Sequence, residues 1–339
     1  MIHPHLIIPT SGKGGKYENS MDCIHICNVY KRIAVDMVFL EMIMLLANKI
    51  LKGDSFISLS DYSRDDILSV MQKISTYDDQ NLKRFIPNKK KLIANLFYEP
   101  STRTSSSFYA AATYLGHEVL SINNVQYSSV AKGESLEDTI KTLASYVHCI
   151  ILRHPEEGSA YRAAQVSNVP IINGGDGIGE HPTQTLLDLY TIYKNFKRLD
   201  QLTVTLMGDL KYGRTIHSLI QVLDLFDVHI NLIGPHELKL PLKYYKNEYI
   251  ESTVLTEDIA MSTDVLYITR VQKERGAVGN YAFTEKDALQ LDESCIVMHP
   301  LPRNEELGEW FDSDPRAKYF DQVSNGLAVR KYLLGEILG

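Results

Sequence analysis

Cysteine is scarce in this chain. The four present, Cys23, Cys27, Cys149 and Cys295, are too few for a disulfide framework, and only the first two lie close together, with no second pair to complete a zinc site. Free thiols in a reducing compartment are the expectation. Basic residues are also in short supply: 35 Lys and Arg stand against 42 Asp and Glu, a net charge of −7 and the wrong sign for a protein that coats nucleic acid. Long hydrophobic runs are missing as well. The most apolar stretch, IAVDMVFLEMIMLLA from Ile33 to Ala47, is shorter than a membrane span and carries Asp36 and Glu41. It reads as an amphipathic helix packed on the domain that follows, not as a membrane anchor. No internal repeat or low-complexity tract is visible, and MGDLKYG lacks the spacing of a dinucleotide fingerprint. A soluble protein acting on small molecules is left, and 339 residues favour two domains over one core.

Residues 1–52 precede the first recognisable domain pattern and begin with a Gly/Lys-rich piece whose composition suits disorder, which leaves a processed targeting segment open. From Phe56 onward, short β-branched or aromatic runs alternate with helical stretches, as a parallel sheet requires. Strands are expected at KLIANLFY, EVLSI, CIILRH and VPIIN, with helices beginning near Ser101, Glu134 and Pro155. The helix HPTQTLLDLYTIYKNF, with Pro182 at a first-turn position, can bridge to a second set of strands at LTVTLMG, VHINLIG, DVLYIT and SCIVMHP. The fold class is therefore α/β, with two doubly wound parallel-sheet domains and an N-terminal helical extension. A final amphipathic helix, NGLAVRKYLLGEIL, has no sheet of its own and can return to the first domain.

The most unusual local composition is FYEPSTRTSSSF, Phe97 to Phe108, where hydroxyls crowd around one arginine. If Ser101 opens a helix directly after a strand, the amides of Thr102, Arg103 and Thr104 are donors without intrahelical acceptors at the carboxyl edge of the sheet. A phosphate suits that position. The helix dipole is positive there, the hydroxyls donate, and the Arg103 fork matches two phosphate oxygens. Taken alone, the stretch is better explained by Ser101 capping the helix beside a solvated Arg103. Three further segments shift the balance: RHPEEG with Arg153, GEHPTQ with His181, and HPLPR near the end each place a charged or imidazole group at a strand end or helix start.

On these motifs the chain resembles the aspartate carbamoyltransferase family, from about Phe56 to the C-terminus. FYEPSTRT fits the signature shared by all carbamoyltransferases. DLKYGRT (Asp209 to Thr215), TRVQKER (Thr269 to Arg275) and HPLPR (His299 to Arg303) point to the aspartate branch, since ornithine enzymes typically carry a cysteine where this chain has Pro300. The resemblance implies transfer of the carbamoyl group from carbamoyl phosphate to the amine of L-aspartate, an early step of pyrimidine biosynthesis. It implies no cofactor and no metal. It further implies a carbamoyl-phosphate-binding domain over 53–183 and 326–339, an aspartate-binding domain over 184–325, and a cytoplasmic homotrimer with active sites shared between subunits.

Residue by residue, the resemblance assigns Ser101, Thr102, Arg103 and Thr104 to the phosphate, with Arg103 also stabilising the leaving oxygen. Thr104, Arg153 and His181 would surround the carbamoyl oxygen, His181 as a donor. Gln184 and the backbone carbonyl of Leu301, next to Pro302, would receive the carbamoyl NH2 protons. Arg214, Arg270 and Gln272 would bind the aspartate carboxylates, with Lys132 also assigned to aspartate. Glu99 and Arg275 would pair across the domains on closure. In SSVAKGES, Lys132 and Ser128 would reach a neighbouring subunit's site, with Ser129 adjacent as an alternative. One departure is Ser105, where many relatives carry an arginine, and nothing resembles the separate zinc-bearing regulatory chain. A carbamoyltransferase for ornithine or another amine is the first competing reading, and RVQKER and HPLPR argue against it. A non-catalytic paralogue is the second; it would usually have lost a clamp residue, yet Arg103, Lys132, Arg153, His181, Arg214 and Arg270 all stand.

Overall fold

A computed structural model describes residues 54–78, 89–122, 133–272 and 281–339. The first half opens with helix α1 (Arg64–Asp78), then alternates β1 (Leu92–Phe97), α2 (Thr102–Tyr114), β2 (Glu118–Ile122), α3 (Leu136–Ala144), β3 (Cys149–His154), α4 (Ser159–Val166) and β4 (Ile171–Asp176). Its four strands are all parallel, in the order β2-β1-β3-β4. Covered on both faces, β1 and the first four residues of β3 read as mostly apolar runs, as buried parallel strands do, while β4 is buried throughout but turns polar after Ile172.

Helix α5 (Pro182–Phe196) leads into the second half. Proline at its first turn starts it without loss of a hydrogen bond, and Lys197 ends it in the left-handed region at φ 59°. There follow β5 (Leu202–Met207), α6 (Arg214–Leu223), β6 (Val228–Ile233), β7 (Ile250–Ser252), α7 (Glu257–Ser262), β8 (Val265–Ile268), α8 (Glu285–Gln290) and β9 (Ile296–Met298). This sheet is also all parallel, in the order β7-β6-β5-β8-β9. The expected doubly wound α/β architecture is thus present in both halves. The hydrophobic pattern did not reveal β7, a three-residue edge strand with Ile250 exposed; it is too short and too wet to show a period.

The chain ends in α9 (Tyr319–Leu338), which begins six residues before the expected NGLAVRKYLLGEIL; its first turns leave Phe320 and Val323 exposed and so do not show one apolar face. It packs on elements of the first half: Tyr332 meets Tyr77 of α1 edge-on at 5.7 Å, the Arg330 guanidinium lies 5.2 Å from the Phe108 ring of α2, and Asn325 Nδ2 donates to Thr191 Oγ1 of α5 at 3.0 Å. One core cluster runs from Ile93 and Phe108 through Leu189 and Leu333 to Leu202 and Leu206, so α5 and α9 join the two sheets with shared apolar surface. Cys149 and Cys295 are buried free thiols, each pushed up to about 12 by burial. Cys23, Cys27 and the Ile33–Ala47 stretch lie outside the described residues.

Candidate active site

Each sheet has one place where the strand order reverses, and functional side chains of α/β folds collect at the carboxyl ends there. In the first sheet that place lies between β1 and β3. Phe97 and Arg153 stand in register at the ends of these strands, so the turn Tyr98–Ser101 and the side chain of Arg153 emerge side by side. Helix α2 then starts with Ser101 as its N-cap residue, but no side-chain hydrogen bond caps it. The simple capping explanation for the hydroxyl run fails here, and the first-turn amides keep their capacity for an anion. Ser105 is turned inward, where its carbonyl and hydroxyl accept from the buried Asn95 Nδ2 at 3.1 and 3.2 Å. The residue that departs from many relatives thereby ties α2 to β1.

In the second sheet the reversal lies between β5 and β8. Gly208 follows β5 at φ +128°, where a Cβ would come within 1.8 Å of the Tyr281 hydroxyl, so only glycine fits. The fully buried Asp209 comes next. Its Oδ1 accepts from Tyr212 N and its Oδ2 from Gln272 N, both at 2.9 Å, fixing the loop before Arg214 to the loop after Arg270. Arg214 opens α6 behind Gly213 and donates through Nη1 to the Gly177 carbonyl.

Between these edges stand His181 and Gln184 at the start of α5, and the segment Pro300–Leu301–Pro302 after β9, whose Leu301–Pro302 peptide is cis. Arg103 Nη2 donates to the Leu301 carbonyl at 2.7 Å, joining first-half helix to second-half loop. Together these groups line a cleft of about 690 Å³. Ser101, Thr102, Arg103, Thr104, Arg153, His181, Gln184, Arg214, Arg270, Gln272, Leu301 and Pro302 all face it. Ser128, Ser129, Lys132 and Arg275 lie outside the described residues.

The cleft is cationic. Among the described residues Arg103, Arg153, Arg214, Arg270 and Arg330 line it, against the single carboxylate of Glu99. Glu99 Oε2 lies 3.3 Å from Arg153 Nε and 3.9 Å from Arg214 Nη1, so among the described residues its partners are these two guanidiniums. Burial, with Arg270 nearby, lowers the Arg103 pKa, an arrangement that an incoming dianion would relieve. His181 is held well below the usual imidazole range, first by burial and then by Arg214, Arg153 and Arg330, and is therefore neutral. Its Nε2 lies 3.4 Å from Arg153 Nη1, and a guanidinium can only donate, so this nitrogen is the acceptor and the proton sits on Nδ1.

Sequence reasoning missed Arg330 and Gln322, which reach the cleft from α9. Arg330 sits inside an amphipathic pattern that packing alone explains and Gln322 lies before that pattern begins; only the return of α9 across the sheet shows their inward direction. Behind the wall, Gln322 Oε1 accepts from His299 N at 2.9 Å, and His299 Nδ1 accepts from Leu301 N at 2.8 Å. His299 Nε2 faces Glu306 Oε1 at 2.9 Å.

Residues 54–194 match the family described as aspartate/ornithine carbamoyltransferase, carbamoyl-P binding domain, and residues 200–336 match its Asp/Orn binding domain. The aspartate carbamoyltransferase catalytic subunit of Archaeoglobus fulgidus is 45% identical over 293 residues, covering 83% of this chain and 98% of that one. The catalytic subunit of M. jannaschii aspartate transcarbamoylase superposes with a TM-score of 0.78 at 41% identity, covering 84% and 98% of the two chains. The Trypanosoma cruzi enzyme in complex with aspartate and phosphate superposes at 0.79 with 38% identity, over 85% and 96%. Matched through both halves in sequence and in fold, the chain belongs to the aspartate/ornithine carbamoyltransferase family, with its relatives on the aspartate carbamoyltransferase branch.

Proposed function

We propose that this chain transfers the carbamoyl group of carbamoyl phosphate to the amine of L-aspartate, giving N-carbamoyl-L-aspartate and phosphate. The observation that carries the reading is the convergence of two separated sets of donors on one cleft: the α2 start with Arg103 on the first sheet, and Arg214 with Arg270 on the second. The first set suits a phosphate dianion, the second two carboxylates. A related T. cruzi structure carries N-(phosphonacetyl)-L-aspartic acid, which joins both groups in one molecule.

In this reading Ser101, Thr102, Arg103 and Thr104 hold the phosphate. The aspartate amine attacks the carbamoyl carbon, the new C–N bond forms, the C–O bond to phosphate breaks, and the departing phosphate takes up the amine proton. Arg103 stabilises charge on the leaving oxygen, while Thr104 and Arg153, with neutral His181 beside them, hold the negative charge that gathers on the carbamoyl oxygen. Gln184 and the Leu301 carbonyl, next to Pro302, take the NH2 protons; Arg214, Arg270 and Gln272 take the aspartate carboxylates. Ser128 and Lys132 are assigned to a neighbouring subunit's site in a homotrimer. The halves are assigned as 53–183 with 326–339 for carbamoyl phosphate and 184–325 for aspartate. Among the described residues no helix is long and apolar enough to cross a membrane; the cytoplasm is the compartment proposed, or an organelle if residues 1–52 are the remnant of a targeting segment. Supplying carbamoyl phosphate with aspartate, ornithine or putrescine and identifying the carbamoylated product tests the reading. Aspartate alone should yield product, and activity with ornithine alone would overturn it.

A further inference from the structure

Directly behind the cleft wall lies a group the reaction does not use. Asp188 is fully buried on α5, and three side chains aim donors at it. Gln184 Nε2 and Gln322 Nε2 reach Oδ1 at 2.9 and 2.6 Å, and the Tyr267 hydroxyl reaches Oδ2 at 2.9 Å. These partners come from α5, α9 and β8, so the carboxylate sits where both halves meet. An ionised carboxylate only accepts, and this fixes the faces of both glutamines. With Nε2 turned to Asp188, Gln184 has its Oε1 left for the cleft. With its own Nε2 committed, Gln322 presents Oε1 to His299 N, and His299 in turn holds Leu301 N at 2.8 Å.

We propose that Asp188 is a positioning residue that orients both acceptors of the carbamoyl NH2, the Gln184 Oε1 directly and the Leu301 carbonyl through Gln322 and His299, and so selects a carbamoyl group over an acyl group without N–H donors. This rests on the carbamoyltransferase reading above. A site built from oriented acceptors rejects an analogue that offers nothing to accept, because its polar atoms are then buried unpaired. Acetyl phosphate is such an analogue: it carries a methyl where carbamoyl phosphate carries NH2. The charged state of Asp188 matters to the device. Burial pushes its pKa up to about 7, opposed by the donors from Gln322, Tyr267 and Gln184 and by the charge of Arg330. Protonation on Oδ2 would set a hydroxyl against that of Tyr267 and weaken Oδ1 as the acceptor both glutamines share.

The test uses the full chain and three probes: carbamoyl phosphate, acetyl phosphate and inorganic phosphate. Asp188→Leu, which removes the Oδ1 that both glutamines share, should lower the preference for carbamoyl over acetyl phosphate by about tenfold or more, while binding of inorganic phosphate stays within about twofold. A preference unchanged in Asp188→Leu, or equal losses for all three probes, would overturn the proposal. Should Asp188→Leu not fold, Tyr267→Phe removes one donor without touching the cleft. The acid limb of carbamoyl phosphate binding should then move to higher pH, because the ionised carboxylate has lost support, and an unmoved limb would equally overturn it. Wild-type chain that binds these probes selectively yet makes no N-carbamoyl-L-aspartate would sink the assigned reaction while leaving this selectivity standing.

Discussion

At the residue scale, Arg103 stands close enough to Arg270 to feel its charge, yet the two are assigned to opposite ends of the reaction. Arg103→Ala should lower turnover by about 10²–10³-fold with the fold intact, because it removes charge stabilisation from the leaving phosphate. Steady-state kinetics and a denaturation curve on the same sample check this, and near-normal turnover would count against the phosphate assignment. Arg270→Ala should instead raise the aspartate KM by about tenfold or more, since one carboxylate loses its guanidinium. Asp188 carries a stability prediction whose sign follows from its shift. Its folded pKa of about 7 lies above the 3.8 of an exposed aspartate, so the group contributes most below the lower figure and loses that contribution as pH rises through the higher one. The stability of Asp188→Asn relative to wild type should therefore improve from pH 5 to pH 8, a trend readable from urea midpoints.

At the scale of elements, α9 does two jobs. It delivers Gln322 and Arg330 to the cleft, and its apolar face, including Leu333 and Tyr332, completes the core shared by both sheets. Leu333→Ala leaves the cleft lining untouched but removes a fully buried side chain from that core. It should cost about 2–5 kcal/mol of unfolding free energy, with KM values near wild type in whatever fraction stays folded. A loss confined to kinetics, with no shift in the denaturation midpoint, would show that α9 is not part of the common core. The two strand-order reversals explain why the site residues are so far apart in sequence. Each βα turn can present only a few side chains, so a site with a phosphate end and a dicarboxylate end draws on several turns at once.

At the scale of the whole molecule, the proposed sharing of sites between subunits can be read without any structure of the assembly. Arg103→Ala and Lys132→Ala should each be nearly inactive. Refolded together in equal amounts, they should recover about a quarter of native activity, because an intact Arg103 meets an intact Lys132 at about a quarter of randomly formed interfaces in a closed cyclic trimer. Activity at the parental level, with mixed trimers confirmed by mass, would place both residues in the same subunit's site.

The sequence by itself determined the alternation of strands and helices, the hydroxyl-rich helix start, the bridging helix with Pro182, and the identity of the groups around Arg103, Arg153, His181, Arg214 and Arg270. These are local features: burial on both faces writes a continuous apolar run, and a helix start is marked by its own residues. What only the tertiary structure decided is direction and state. That Ser101 does not cap its helix, that Ser105 turns to Asn95, that Glu99 lies between Arg153 and Arg214, and that Asp188 faces Gln184, Gln322 and Tyr267 all depend on residues brought together across as many as 134 positions of chain. No period or motif records such contacts, because the energy of a buried charge is set by the neighbours that folding assembles around it and not by those beside it in sequence.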